Sequence, residues 1–83
     1  MVEFGRLRWR CRRGTTELER ILAGFLARHG DQLSAPTLEA FERLLEHEDD
    51  QLADWLINGQ GQPLDESLRE LVQRIRESAA APG

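Results

Sequence analysis

The sequence holds one cysteine, two histidines and no lysine in 83 residues. Each scarcity removes a class of chemistry. Cys11 has no second cysteine for an internal disulfide, and with so few partners it cannot build a zinc site. His29 and His47 sit in charged stretches, where two surface histidines are the plain reading rather than metal ligands or acid–base groups. No apolar run approaches the roughly 18 residues needed to cross a bilayer. The opening MVEFGRLRWRCRR lacks the apolar stretch of a secretory signal. A cytoplasmic protein is therefore expected, or an organelle-matrix form without its presequence. Also missing are a Gly-rich phosphate loop, an HExxH, a CxxC and a nucleophile elbow.

What is present suits a folded domain. Apolar residues make up 40% and charged residues 31% of the chain. The length allows a single domain, expected over residues 1–78, with residues 79–83 as a flexible Ala-rich tail. A domain of this size buries roughly 60–65% of its unfolded surface, so little interior is left for an enclosed active-site pocket. The net charge of −4 is unevenly spread. Residues 1–20 hold six arginines against three acids, whereas residues 39–54 hold seven acids against Arg43 alone. The basic stripe is short and the whole chain acidic, which speaks against a nucleic-acid binder. The run Glu46-His47-Glu48-Asp49-Asp50 lacks the alternating oxygen ligands, central glycine and terminal glutamate of a calcium loop. It reads as a solvated acidic loop whose aspartate caps a helix, or as an acidic patch facing a partner.

Five helices are expected, joined by short loops into a compact, all-α, antiparallel bundle. The first runs from about Glu3 to Arg12, with Phe4, Leu7 and Cys11 on one stripe. The alternation in LRWRCR fits a strand as well. Helix is preferred because no other segment reads as a partner strand. Gly14 breaks this helix as a residue suited to a left-handed C-terminal position. Thr16 with Glu19 reads as a capping box for the second helix, whose apolar face is Leu18, Ile21, Leu22, Phe25 and Leu26. Gly30 ends it. Ser34 and Pro36 open the third, with Leu38, Phe41, Leu44 and Leu45 inward. Asp49 or Asp50 is expected to cap the fourth, with Leu52, Trp55 and Leu56 as its stripe and Asn58-Gly59 as its stop. Pro63 precedes the fifth, with Leu64, Leu68, Leu71, Val72 and Ile75 inward. Asp65–Arg69 and Glu70–Arg74 are expected as i,i+4 pairs. These narrow stripes can be satisfied inside one bundle, so a monomer is expected.

On a helical wheel Val2, Arg6, Trp9 and Arg13 lie opposite the stripe of Phe4, Leu7 and Cys11. A tryptophan among arginines has the composition of an interface hot spot. The competing reading has Trp9 packed on a neighbouring helix and the arginines merely solvating the domain. The run Arg13-Gly14-Thr15-Thr16-Glu17, taken alone, is a helix stop followed by a helix start.

Together these segments resemble the SdhE family, the succinate dehydrogenase assembly factor 2 type. The resemblance rests on an RGxxE motif at Arg13-Gly14-Thr15-Thr16-Glu17, preceded by Trp9-Arg10-Cys11-Arg12. It continues in Phe41-Glu42-Arg43-Leu44-Leu45-Glu46 and then Asp49, Leu52, Trp55 and Leu56, the pattern LLExxDxxLxxWL. It covers roughly residues 6 to 76. Glu19, where many members carry aspartate, and the Ala-rich tail are small departures.

The resemblance implies a small five-helix protein that binds the flavoprotein subunit of succinate dehydrogenase, and in bacteria also that of fumarate reductase. Such proteins assist the bond between a histidine of that subunit and the 8α-methyl carbon of FAD. The attachment is viewed as self-catalysed by the client, so a factor helps by positioning, without a catalytic site of its own. It also implies that Arg13, Gly14 and Glu17 lie in the client-contacting surface, with Asp49 contributed by the second motif. Gly14 would permit close backbone approach, Arg13 a forked contact, and Glu17 an acceptor or an orienting partner for Arg13. The wheel adds Arg6 and Trp9. No dinucleotide fingerprint is present, so the chain is expected to bind no cofactor tightly, FAD being that of the client. Some members of the family are described as antitoxins of a membrane-associated toxin, an alternative that also requires a protein-binding helical domain.

Overall fold

The computed structural model describes residues 4–80, the side chain of Phe4 excepted. It contains five α-helices and, among the described residues, no strand. They are α1 (Phe4–Arg10), α2 (Thr16–His29), α3 (Ala35–Leu44), α4 (Asp49–Ala53) and α5 (Glu66–Ala80). A 3-10 turn, Gly30–Gln32, follows α2, and a π-helical turn, Asp54–Asn58, extends α4. The strand alternative for LRWRCR is thereby settled as helix. Val2, the Glu3 start and residues 81–83 of the tail lie outside the described residues.

Apolar spacing explains which face of each helix turns inward. Leu7 of α1 and Cys11 just beyond it are buried, as are Leu18, Leu22, Phe25 and Leu26 of α2. Ala40, Phe41 and Leu44 of α3 join them, with Leu52, Trp55 and Leu56 beyond. Leu68, Leu71, Val72 and Ile75 complete the core from α5, which lies against α2, α3 and the π-turn. Phe25 and Phe41 stack with ring centroids 6.1 Å apart across the centre.

Several local expectations are corrected. Leu64 is 96% exposed, because α5 begins only at Glu66 and Leu64 precedes its inward stripe. Asp65 does not pair with Arg69. Its Oδ1 accepts from the N–H groups of Ser67 and Leu68, capping α5, and its Oδ2 meets Arg43 Nη1 at 2.9 Å. Arg69 instead donates to the Leu64 carbonyl. Thr15, not Thr16, is the N-cap of α2, its hydroxyl accepting from the Leu18 N–H. Glu48 holds the N-cap position of α4 without a side-chain bond, so neither Asp49 nor Asp50 caps that helix. Gly59 stops the π-turn with φ 66°, the left-handed conformation its position requires. Gly14 has no positive φ, so its role is not that of a left-handed cap. Finally, α5 continues through Ala79 and Ala80, the first two residues of the expected tail, and Arg28 Nη1 donates to the carbonyl of Ser78 just before them.

Candidate functional site

The loop between α1 and α2 is held by carboxylates at two successive backbone N–H groups. The N–H of Arg13 donates to Glu19 Oε1 at 2.8 Å, and the N–H of Gly14 donates to Asp49 Oδ2 at 2.9 Å. Left alone, each N–H would have to be satisfied by water. Instead, Glu19 reaches back from the first turns of α2, which is why it does not complete a capping box with Thr16. Asp49 reaches across from the first turn of α4, where the positive end of the helix favours a carboxylate.

Arg13 turns inward. Its side chain is only 15% exposed, and Nη2 donates to the carbonyl of Leu45, the C-cap of α3. A cation at the negative end of a helix, satisfying a terminal carbonyl, is favoured twice over. Nη1 lies 3.7 Å from Asp49 Oδ1, while buried Nε has no hydrogen-bond partner. Arg13 therefore departs from the outward wheel position expected beside Trp9. α1 ends at Arg10, so the helical wheel no longer applies three residues later.

Gly14 sits close against the second motif. A Cβ on Gly14 would stand 3.2 Å from Asp49 Oδ2, so the carboxylate would have to give by a few tenths of an ångström. The two sequence motifs thus meet: Arg13 and Gly14 of the first are clasped by Leu45 and Asp49 of the second, 32 and 35 residues away.

Outside the clasp lies a continuous exposed ledge of Gly14, Thr15, Thr16 and Glu17. Glu17 makes no hydrogen bond or ion pair among the described residues, and it does not orient Arg13. Trp9 is 66% exposed, with the Arg12 guanidinium 5.1 Å from its ring centroid, a cation–π contact that holds the indole outward. Arg6 is exposed one turn earlier. Arg10 is tied back to Glu42 at 3.7 Å. Cys11, beside the loop, is 1% exposed. Burial pushes its thiol up to about 11 although Arg13 and Arg8 pull it down. Such a thiol is a core group rather than a nucleophile.

Three participants escaped the sequence reading: the Leu45 carbonyl, the Glu19 clamp and the Arg12 lid on Trp9. Glu19 and Arg12 were visible as residues, but their partners depend on how the loop turns. A backbone carbonyl carries no signal in sequence at all. Among the described residues no group of three or more His, Cys, Asp or Glu side chains is placed to hold a metal ion. No described helix is long and apolar enough to cross a membrane.

Fold and site together define a small all-helical domain with a braced interhelical loop and an exposed Trp9–Arg12 pair beside it. The sequence matches the family described as "flavinator of succinate dehydrogenase" over residues 5–79. It is 43% identical over 74 residues to the FAD assembly factor SdhE of Legionella pneumophila (strain Lens), covering 89% of this chain and 91% of that one. It is 40% identical over 78 residues to the SdhE of Yersinia pestis, covering 94% and 88%, and 36% identical over 80 residues to that of Pasteurella multocida, covering 94% of each. The chain belongs to the SdhE family of FAD assembly factors.

Proposed function

We propose that this protein binds the flavoprotein subunit of succinate dehydrogenase, and that of the related fumarate reductase, and promotes covalent attachment of FAD to it. The observation that carries this reading is the clasp. Arg13 and Asp49 are largely turned to one another and to the α3 terminus, and they hold Gly14 to Glu17 as a preformed ledge. A ledge fixed before binding loses little conformational freedom on docking. In this division of labour Gly14 and Glu17 touch the client, Trp9 and Arg6 extend the contact, and Arg13 and Asp49 act as positioning residues.

The chemistry of the flavin–histidine bond belongs to the client. This chain acts by holding the client in a conformation where its histidine and flavin are aligned, which is catalysis by orientation from outside. It works as a cytoplasmic monomer and binds no FAD tightly on its own. A flavin titration giving sub-micromolar affinity without client would refute that last point.

The test is covalent flavin content of the succinate dehydrogenase flavoprotein in cells with and without this protein, read as in-gel flavin fluorescence. Fluorescence that requires the protein supports the reading. Fluorescence unchanged by deletion sinks it and leaves another protein-binding role, such as the antitoxin type, to be sought by co-purification.

A further inference from the structure

Glu17 does more than end the exposed ledge. It also lines a groove of about 770 Å³ between α2, α5 and the π-turn. Ile21, Phe25 and Leu56 give this groove an apolar floor, and Ile57, 38% exposed, adds to it. Arg20, Arg28 and Arg76 line it as well, and all three are exposed. None of the three has a carboxylate within ion-pair distance among the described residues, where the three ion pairs involve other arginines. Arg28 is steadied by Ser78, while Arg20 and Arg76 make no hydrogen bond there. Only Glu17 and Glu77 oppose them within the groove. In a chain of net charge −4, a cation-rich trough with an apolar floor is a local inversion of charge.

We propose that this groove seats an amphipathic acidic segment of the client flavoprotein. An apolar side chain of that segment rests on Ile21 and Ile57, its carboxylates meet Arg20, Arg28 and Arg76, and Glu17 accepts a hydrogen bond from a backbone or side-chain donor. The volume accommodates several side chains rather than one. Opposed charges across the contact set register and speed encounter. The groove also explains why the motif ends in a glutamate: Arg13 and Gly14 serve the clasp, and Glu17 joins the ledge to the groove. This inference rests on the flavoprotein being the client.

The experiment measures the affinity of the purified client flavoprotein for the full-length protein and four variants. These are Arg20→Glu with Arg76→Glu together, Ile57→Asp, Gly14→Arg, and one carrying a photo-crosslinking phenylalanine at Ile57. Among the described residues Arg20 and Arg76 have no ion-pair or hydrogen-bond partner to lose, so the double variant is expected to stay folded. Its Kd is expected to rise by about tenfold or more, with loss of the salt dependence of binding. Ile57→Asp is expected to weaken binding similarly, and the crosslinker to capture a client segment rich in Asp or Glu. Groove variants binding within twofold of the wild type, while Gly14→Arg fails to bind, would overturn the groove and leave the proposed function standing. A crosslink to a basic segment would overturn it too. A client that ignores the wild-type protein would overturn both.

Discussion

Asp49 serves two groups at once, accepting from the Gly14 N–H and facing the Arg13 guanidinium. Asp49→Ala leaves an arginine with less compensation and hands the exposed Gly14 N–H to water, and is expected to lower stability by about 0.5–1.5 kcal/mol. Asp49→Asn keeps an oxygen for Gly14 and loses only the charge, so it should lose about half as much. Urea unfolding of both variants checks the order, and equal losses would contradict it. Cys11 supplies an independent check on packing. Its folded thiol is raised by burial from 9.0 to about 11, so the folded state holds the proton more tightly than the unfolded state. Stability is therefore complete below pH 9 and declines as pH rises from 9 through about 11. The chain has neither lysine nor tyrosine to titrate in that window, so Cys11→Ala should remove most of the slope. At this scale the sequence was partly legible. Gly14 and Asp49 were visible as motif members. That Gly14 lies against Asp49, without a positive φ, depends on a contact 35 residues distant that no local pattern encodes.

At the scale of elements, amphipathic spacing was the reliable guide. The faces of α2, α3 and α5 follow their apolar stripes with one exception, Leu64, which lies before the helix rather than in it. The π-turn was not legible. Trp55 and Leu56 are compatible with an ordinary α-helical stripe, and the wider winding shows only in the backbone bonds that end at Gly59. Gly59→Ala is expected to lower stability by about 1 kcal/mol, because φ is 66° and the new methyl would meet Arg76 Nη2 at 3.1 Å. Thermal unfolding reads this directly. α1 gives the opposite case, an exposed group that does not stabilise the fold. Trp9→Ala should change stability by no more than about 0.5 kcal/mol. It should weaken client affinity by about tenfold or more if the indole is an anchor. A variant that unfolds readily but still binds would assign Trp9 to the core instead.

Across the whole molecule, one apolar core holds the two motifs in contact. α5 braces α2, α3 and the π-turn, and α3 and α4 carry Leu45 and Asp49 to the loop that follows α1. The all-helical class was legible because each helix carries its own apolar stripe and end signals. The convergence of the motifs was not, since it is a property of the assembled bundle. The central claim is that this converged surface, acting on a client, brings about flavinylation without chemistry of its own. Reconstitution from pure components tests it most directly: apo-flavoprotein of succinate dehydrogenase, FAD, and the wild-type protein, Gly14→Arg or Glu17→Ala, with the rate of covalent flavin incorporation followed by fluorescence. The account predicts that the wild-type protein raises the rate, saturating near one equivalent of client. Both folded variants should fall towards the rate seen with no factor. Equal rates with the wild-type protein, with either variant and with none would contradict it.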